Sequence, residues 1–305
     1  MPAGIPVSRR ALLGGLAATA LPFNISFGQG AGVTRAIPST GEKLPVIGLG
    51  SWITFNVGND PRGRAASIAV MREFFNAGGR MVDSSPMYGS SQGVIGEGLK
   101  TLAAKQQVFS AEKVWTSSGR SGPQQIEITR RHWGVEKFDL LQVHNLLGWE
   151  AHLETLHAMK AEGRIRYIGI TTSEGRRHDE IERIMQSQPV DFLQISYNVL
   201  DREIEQRILP LARERRIGVI VNRPFRQGDL IDAVRRHPLP VWAAEIGAAN
   251  WAQLLLKFIV AHSDVTCVIP ATTRTQHLAE NMGAGHGPLP DAAIRRRIIS
   301  HVEAL

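Results

Sequence analysis

The chain has 305 residues, of which 43% are hydrophobic and 21% are charged, a composition that is ordinary for a globular protein with one large α/β barrel or two small domains. The formal net charge of +7 would suit nucleic acid or an anionic cofactor. The basic residues are scattered or form only short runs, aromatic residues make up 6%, and no nucleic-acid-binding motif is present, so we exclude nucleic acid as a partner.

Residues 1–30 predict an export signal that lies outside the fold. Ser8, Arg9 and Arg10 precede a mildly apolar run, rich in Gly and Ala, that ends at Leu21. A basic pair, a short apolar region and small residues are typical of bacterial signal peptides. The arginine pair after a serine resembles the twin-arginine class. The sequence therefore predicts the twin-arginine export machinery as a partner and a periplasmic location.

Stable membrane insertion is not expected for this segment, because the apolar run has roughly a dozen residues against the ~20 that span a bilayer. A retained membrane anchor or a disordered arm is the alternative interpretation. The sequence leaves the cleavage site open between Ala18–Ala20 and the region near Gly28–Gly30.

The first segment after the signal predicts two strands joined by a turn. The strands are Thr34–Ile37 and Lys43–Leu49, and residues 38–41 separate them. Gly48-Leu49-Gly50 is only a fragment of a dinucleotide-binding fingerprint, because no third glycine enters a helix directly afterwards. We therefore reject a Rossmann fold.

The rest of the chain predicts a regular alternation of apolar strands and amphipathic helices. Counting Val46–Leu49 as the first, the remaining strands are the one that ends at Asp83, Val108–Trp115, Phe138–His144, Arg166–Ile170, Phe192–Tyr197, Gly218–Val221 and Val265–Ile269. The helices are Gly63–Asn76, Val94–Ala103, Ile126–Trp133, Glu150–Glu162, Asp179–Gln186, Ile204–Arg215, Val241–Ala261, Thr275–Met282 and Asp291–Leu305. Eight such units over ~270 residues predict an α/β protein with one (β/α)8 TIM-barrel domain, residues 31–305.

Four polar side chains lie at or just after the ends of consecutive predicted strands: Asp83, Tyr88, Lys113 and His144. A (β/α)8 barrel presents its chemistry at this end of the strands. Their order, and the flanking sequences MVDSSPMYG and DLLQVHN, resemble the aldo-keto reductase family from about Ala36 to Ala284. GEKLPVIGLGSW resembles the family's opening, which implies a short hairpin that closes the barrel floor.

The resemblance implies reversible reduction of aldehydes or ketones by a nicotinamide cofactor. A tyrosine has an ordinary pKa of ≈ 10, and a nearby cation lowers it. We expect Tyr88 to act as the general acid in reduction, with Lys113 as the cation that tunes it. Asp83 is expected to hold Lys113, and His144 to bind the carbonyl oxygen. Taken singly, each residue also has a structural explanation: a cap, a rim aromatic, a strand-end lysine or a core histidine.

The resemblance also implies which residues hold the cofactor. They are Gly50, Ser51, Trp52, Thr171, Thr172, Gln194, Asn222, Arg223, Pro224, Phe225, Thr272, Arg274, Glu280 and Asn281. Thr172 departs from the family by replacing an amide, and Asn222 by replacing the tyrosine that stacks on the nicotinamide. Arg274 is a candidate partner of a 2′-phosphate and favours NADP(H), with NAD(H) as the alternative, although His277 replaces an arginine that many members carry.

Trp52, Trp115 and Trp149 follow predicted strands, where substrate loops are expected. An aromatic-walled pocket would suit small apolar or aromatic carbonyls, and the alternative is that these tryptophans only pack loops. The sequence contains no metal-site motif, Walker loop or nucleophile elbow, so no metal is expected.

The sequence thus predicts a monomeric, exported NAD(P)H-dependent reductase. The departures at Thr172 and Asn222, together with the export signal, keep open a nicotinamide-binding regulatory or sensor subunit with little turnover. A barrel isomerase or aldolase that uses Lys113 as a Schiff base is a third hypothesis, because this barrel hosts many chemistries.

Overall fold

A computed structural model describes residues 32–305, so the predicted export signal lies outside the described residues. Two short strands, β1 (Thr34–Ala36) and β2 (Lys43–Pro45), form an antiparallel hairpin. Eight further strands are parallel: β3 (Leu49–Gly50), β4 (Met81–Asp83), β5 (Phe109–Val114), β6 (Phe138–Val143), β7 (Ile165–Thr171), β8 (Phe192–Ser196), β9 (Gly218–Asn222) and β10 (Val265–Val268).

Helices connect the parallel strands and cover the outside of the sheet. They are α1 (Pro61–Asn76), α2 (Ser91–Thr101), α3 (Gly122–Trp133), α4 (Trp149–Ala161), α5 (His178–Ser187), α6 (Ile208–Glu214), α7 (Asp229–Val234), α8 (Trp251–Val260), α9 (Thr275–Gly283) and α10 (Ala292–Glu303). Between residues 32 and 305, no helix combines the length and the apolar character that a membrane span needs.

The eight strands follow one another in sequence order around the sheet, and backbone contacts between its first and last strands close it into a barrel. The Gly48 N–H donates to Val268 O at 2.8 Å, and the Gly50 N–H donates to Pro270 O at 3.0 Å. A Cβ at residue 50 would lie 2.7 Å from the Ile269 carbonyl oxygen, so only glycine permits this close approach. The predicted (β/α)8 barrel is confirmed.

The β1–β2 hairpin closes one end of the barrel, as the sequence predicts. Ile37 and Leu44 are fully buried and pack with Phe109, Tyr167 and Phe192 inside the barrel. Hydrogen bonds and ion pairs at the hairpin turn, where Tyr167 donates to a Glu42 oxygen at 2.9 Å, fasten it to the strands above. This end of the barrel interior is therefore filled by packed side chains.

The predicted helix Val241–Ala261 is wrong as a single element. A 3-10 helix, Val241–Ile246, ends at Gly247, which has φ +64, and α8 begins only at Trp251. The Asn250 side chain caps α8 by accepting the Gln253 N–H at 2.9 Å. The glycine and the capping asparagine separate two helices that hydrophobic periodicity alone joins.

The predicted helix Ile204–Arg215 is also divided. A 3-10 turn, Glu203–Glu205, precedes α6, which begins at Ile208. Pro210 has no N–H, and its ring would clash with the carbonyl four residues earlier in a continuous helix. The proline fits only because it lies in the first turn of α6.

Candidate active site

A cavity of about 450 Å³ lies where the barrel strands end at their carboxyl termini. Asp83, His144, Thr171, Gln194 and Asn222 contribute to its wall from, or directly after, five different strands. This is the end at which (β/α)8 barrels carry their active sites. The arrangement makes the cavity the candidate active site.

Asp83 and Lys113 form a buried ion pair beside the cavity. Asp83 lies opposite Ala111 in the register of β4 and β5, so Lys113, two residues further along β5, faces the same side. Lys113 Nζ lies 2.5 Å from Asp83 Oδ1 and donates to Ser84 O at 2.7 Å. Burial by itself lowers the pKa of Lys113, but the charges of Asp83 and other neighbouring groups outweigh it and raise the pKa overall. Lys113 is therefore a stable ammonium.

The carboxylate of Asp83 is also held by two amides, from β6 and β8, that reach it across the barrel interior. Gln194 Nε2 donates to Asp83 Oδ2 at 2.8 Å, and Gln142 Nε2 donates to the same oxygen at 3.2 Å. Within residues 32–305, the side-chain oxygen of Gln194 has no hydrogen-bond partner, and Gln194 lines the cavity. This oxygen can accept a donor from a ligand.

Tyr88 lies in the loop after β4, where its backbone N–H donates to Ser85 O at 3.0 Å and fixes a tight turn. Lys113 Nζ lies 5.3 Å from the centroid of its ring. Burial of the hydroxyl raises the pKa of Tyr88 to about 12, although the charge of Lys113 lowers it. Lys113 thus acts in the expected direction, but burial is the larger effect and keeps the phenol protonated at neutral pH.

His144 follows β6 directly and begins a single 3-10 turn, His144–Leu146. Its ring stands edge-on to the Tyr88 ring, with the centroids 5.7 Å apart and an interplanar angle of 89°. Nδ1 of His144 lies 2.7 Å from Ser85 Oγ. Burial, followed by the charge of Lys113, lowers the pKa of His144 to about 3, so the imidazole is neutral at physiological pH.

The predicted cofactor residues of β7 and β9 lie next to one another on the cavity wall. Thr172 Oγ1 donates to Arg176 O at 2.8 Å. Asn222 Nδ2 donates to Thr172 O at 2.9 Å, and Ser196 Oγ lies 2.7 Å from Asn222 Oδ1. Asn222 is thereby locked at both ends of its amide. A flat amide, rather than an aromatic ring, lines the cavity here.

The other predicted cofactor residues fall into two sets. The first set lines the cavity and comprises Gly50, Ser51, Trp52, Arg223, Pro224 and Phe225. Arg223 has φ +51, and its guanidinium pairs with Glu174 at 3.2 Å. The second set comprises Thr272, Arg274, Glu280 and Asn281, which lie just before and along α9 and do not line the cavity.

The start of α9 carries an exposed cation. Thr272 is buried, and its Oγ1 accepts the Arg274 N–H at 3.1 Å. The guanidinium of Arg274 makes no ion pair or hydrogen bond within residues 32–305, and the side chain is exposed. Further along α9, the side-chain amide of Gln276 lies 3.3 Å from the carboxylate of Glu280, one turn later.

The structure brings only one of the three predicted pocket tryptophans to the cavity. Trp52 lines it, whereas Trp115 and Trp149 do not. The backbone of Trp115 is tied to the Gln125 side chain by hydrogen bonds of 2.6 and 2.8 Å, and the Trp149 indole donates to Glu180 at 3.1 Å. The Trp149 indole therefore contacts α5 rather than the cavity. The other apolar residues that line the cavity are Ile53, Met87, Pro224, Phe225, Ile269 and Ala271.

Sequence reasoning missed three side chains that support the site. Gln142 is two residues before His144 in β6, and the period of a strand could have placed it on the inner face. Glu112 precedes Lys113, so the same period turns it toward the helices, where Trp133 Nε1 donates to it at 2.7 Å. Ser85 carried no signal, because a loop serine has no fixed direction in the sequence.

Comparison with known proteins finds a family match over most of the chain. The model of the Aldo/keto reductase family matches residues 46–298. Methylglyoxal reductase YeaE of Escherichia coli (strain K12) is 27% identical over 247 residues, which cover 78% of this chain and 84% of that protein. The NADH-specific methylglyoxal reductase of the same organism is 24% identical over 315 residues, covering 83% of this chain and 94% of that protein.

Solved structures support the fold. An aldo-keto reductase from Klebsiella pneumoniae in complex with NADPH has a TM-score of 0.74 and 21% identity, and the match covers 90% of this chain and 96% of that one. A second Klebsiella pneumoniae aldo/keto reductase, in complex with NADP and acetate, has a TM-score of 0.72 and 22% identity, with 87% and 92% coverage.

Proposed function

The chain belongs to the aldo/keto reductase family, and on that basis we propose that it reduces small aldehydes or ketones to alcohols with NADPH. One observation carries the proposal: the buried Asp83–Lys113 pair lies beside Tyr88, whose ring meets His144 on the wall of the same cavity. The relatives named methylglyoxal reductases support a small carbonyl substrate.

Tyr88 is the proposed proton donor. When bound, the nicotinamide supplies the hydride. Because the pKa of Tyr88 is raised to about 12, its hydroxyl carries a proton at neutral pH and can give it to the carbonyl oxygen as negative charge develops there. The Lys113 ammonium then lies close to the phenolate that forms and stabilises it.

Asp83 and His144 have supporting roles in this proposal. Asp83 keeps Lys113 charged and in place through the 2.5 Å contact. The neutral His144 offers a ring nitrogen to the carbonyl oxygen and orients the substrate. The same ion pair disfavours Lys113 as a Schiff-base nucleophile, because such a lysine must be deprotonated to attack.

The residues of the cavity fit a nicotinamide nucleotide. The unpartnered oxygen of Gln194 can accept from the carboxamide, and Thr171 Oγ1, which accepts the Asn145 N–H at 3.2 Å, still has its own proton to donate. The unpaired guanidinium of Arg274 would bind the 2′-phosphate of NADP(H). The complexes of NADP and NADPH among similar structures support this preference, and the NADH-specific relative makes NAD(H) the alternative.

NADPH oxidation with a panel of small aldehydes, including methylglyoxal, tests the proposed activity. We expect turnover by the wild type and a loss of about 10²- to 10⁴-fold in Tyr88→Phe, the range of general acid catalysis. Tyr167→Phe is the matched control, because Tyr167 lies at the barrel floor and should leave the rate nearly unchanged. A wild type that binds NADPH and reduces none of the panel would overturn the proposal in favour of a nucleotide-binding subunit.

The cofactor preference has a separate test. Arg274→Ala should raise the KM for NADPH about tenfold or more and leave the KM for NADH nearly unchanged, since only NADPH carries the 2′-phosphate. Equal effects on the two cofactors would remove Arg274 from the phosphate site.

We further propose that residues 1–30 direct export to the periplasm through the twin-arginine route. The proposal is based on Arg9 and Arg10 and on the apolar run that follows. Fractionation of cells that express the full chain should place the protein in the periplasm, and the double substitution R9K/R10K should retain it in the cytoplasm. Periplasmic protein in the double variant would refute the twin-arginine assignment.

A further inference from the structure

The position of the proton on the His144 ring determines whether the ring donates or accepts a hydrogen bond toward the cavity. Burial and the charge of Lys113 keep the imidazole neutral, so one ring nitrogen carries a proton and the other has a lone pair. A ring with the proton on the cavity side donates a hydrogen bond to a ligand, and the opposite tautomer accepts one. The partner of the second nitrogen sets which form is present.

Ser85 is the partner of that second nitrogen. Its Oγ lies 2.7 Å from Nδ1 of His144, and Ser85 is fully buried. The same Oγ accepts the backbone N–H of Met87 at 3.2 Å. In residues 32–305, His144 Nδ1 is the one acceptor within reach of the Ser85 hydroxyl proton, and Nε2 of His144 has no hydrogen-bond partner.

The two possible tautomers differ in how well they satisfy Ser85. If Nδ1 carried the proton, Ser85 Oγ would accept two hydrogen bonds and its own proton would be buried without an acceptor, which is unfavourable. If Nδ1 is unprotonated, Ser85 accepts from Met87 and donates to His144, so no buried proton of Ser85 lacks an acceptor. We infer that Ser85 donates its proton to Nδ1 and thereby holds His144 with the proton on Nε2, facing the cavity.

This makes Ser85 a positioning residue, and its consequence for catalysis rests on the proposed function. His144 lines the cavity with its ring edge-on to Tyr88, so the Nε2–H and the Tyr88 hydroxyl are two donors on one side of the cavity. A carbonyl oxygen has two lone pairs and can accept both. A ligand that presents an N–H at this point would meet donors only and would be rejected.

Nitrogen NMR of the folded protein tests the tautomer without any turnover. In protein labelled with ¹⁵N-histidine, the His144 resonances are assigned by their absence in His144→Asn. We expect the wild type to have its proton on Nε2 and a Nδ1 resonance shifted by an accepted hydrogen bond. In Ser85→Ala that shift should be lost. In Ser91→Ala it should persist, because Ser91 is an equally buried serine whose hydroxyl pairs with Ser84. A proton on Nδ1 in the wild type, or the same Nδ1 resonance in Ser85→Ala, would overturn the inference.

Kinetics then separate the inference from the proposed function. Ser85→Ala should lower kcat for carbonyl reduction about tenfold, the size of one lost hydrogen bond, with the KM for NADPH unchanged and with Ser91→Ala near wild type. A wild type without reductase activity, but with the proton on Nε2, would refute the proposed function and support the inference about the tautomer. An unchanged kcat in Ser85→Ala would overturn the positioning role.

Discussion

Replacing Glu112 with glutamine should change how the stability of this protein depends on pH. Glu112 is fully buried on the face of β5 opposite Lys113, and its Oε1 accepts the Lys113 backbone N–H at 2.7 Å. Gln92 and Trp133 donate to its Oε2 at 3.0 and 2.7 Å. Burial raises the pKa of Glu112 from 4.5 to about 7, against the opposing effects of Lys113 and these hydrogen bonds.

The raised pKa of Glu112 determines how the free energy of unfolding changes with pH. Protonation of Glu112 favours the folded state, so its contribution to the free energy of unfolding is complete below pH 4.5 and is lost as the pH rises through about 7. The difference between the two pKa values corresponds to about 3 kcal/mol, most of which falls between about pH 5 and about pH 8. Glutamine does not ionise, so Glu112→Gln should gain about 2–3 kcal/mol relative to the wild type across that interval.

Urea unfolding followed by circular dichroism at several pH values measures this difference. Any other effect of the substitution on the free energy of unfolding, such as altered packing, is the same at every pH. Groups such as His144 titrate equally in both proteins, so their contributions cancel in the difference. Glu127→Gln is the control. Glu127 is half-exposed and paired with Arg130 and Arg131, which lower its pKa to about 2. The stability difference between Glu127→Gln and the wild type should therefore be constant above about pH 5. A flat difference for Glu112→Gln as well would refute the argument from burial.

Three further substitutions test the packing that positions the site, each by urea unfolding. Lys113→Met should lower the free energy of unfolding by about 3–5 kcal/mol, because it leaves the Asp83 carboxylate buried without its cation; a loss below about 1 kcal/mol would contradict a tightly coupled pair. Asn250→Ala should cost about 1 kcal/mol through the lost cap of α8, whereas Asn250→Asp should retain it, and equal losses would argue against the cap. Gly96→Ala should cost about 1–3 kcal/mol, because the new Cβ would lie 1.9 Å from His132 O on α3. Gly93→Ala, in the same helix with open space around it, should gain about 0.5–1 kcal/mol, so similar losses in the two glycine variants would contradict the steric explanation.

Much of the architecture could be predicted because it depends on local pattern. Apolar strands that alternate with amphipathic helices predict parallel βα units, and eight of them close a barrel. Since the carboxyl ends of all barrel strands meet at one end, the sequence also predicted that Asp83, Tyr88, Lys113 and His144 would lie together there. The structure brings these four side chains to one end of the barrel.

The helix breaks were harder to predict from the sequence. Val241–Ala261 has one continuous apolar pattern, yet Gly247 and Asn250 divide it, because a left-handed turn and a cap outweigh periodicity. Two of the three predicted pocket tryptophans, Trp115 and Trp149, do not line the cavity, and again the tertiary contacts explain the difference. Trp149 follows a strand in sequence, but its side chain turns toward Glu180 on α5, a contact between residues 31 positions apart that only the folded chain forms.

The electrostatic character of the site was decided by tertiary structure alone. The sequence by itself placed a lysine near Tyr88 and so predicted a lowered pKa, because the effect of a cation on a phenol is known from chemistry. The pKa of Tyr88 is instead raised to about 12, since the folded barrel removes water from the hydroxyl and this desolvation exceeds the effect of Lys113. The contact of Ser85 with His144 likewise joins residues 59 positions apart. Residue types and their spacing are written in the chain, whereas burial and the partner of each buried polar atom exist only after distant segments pack together.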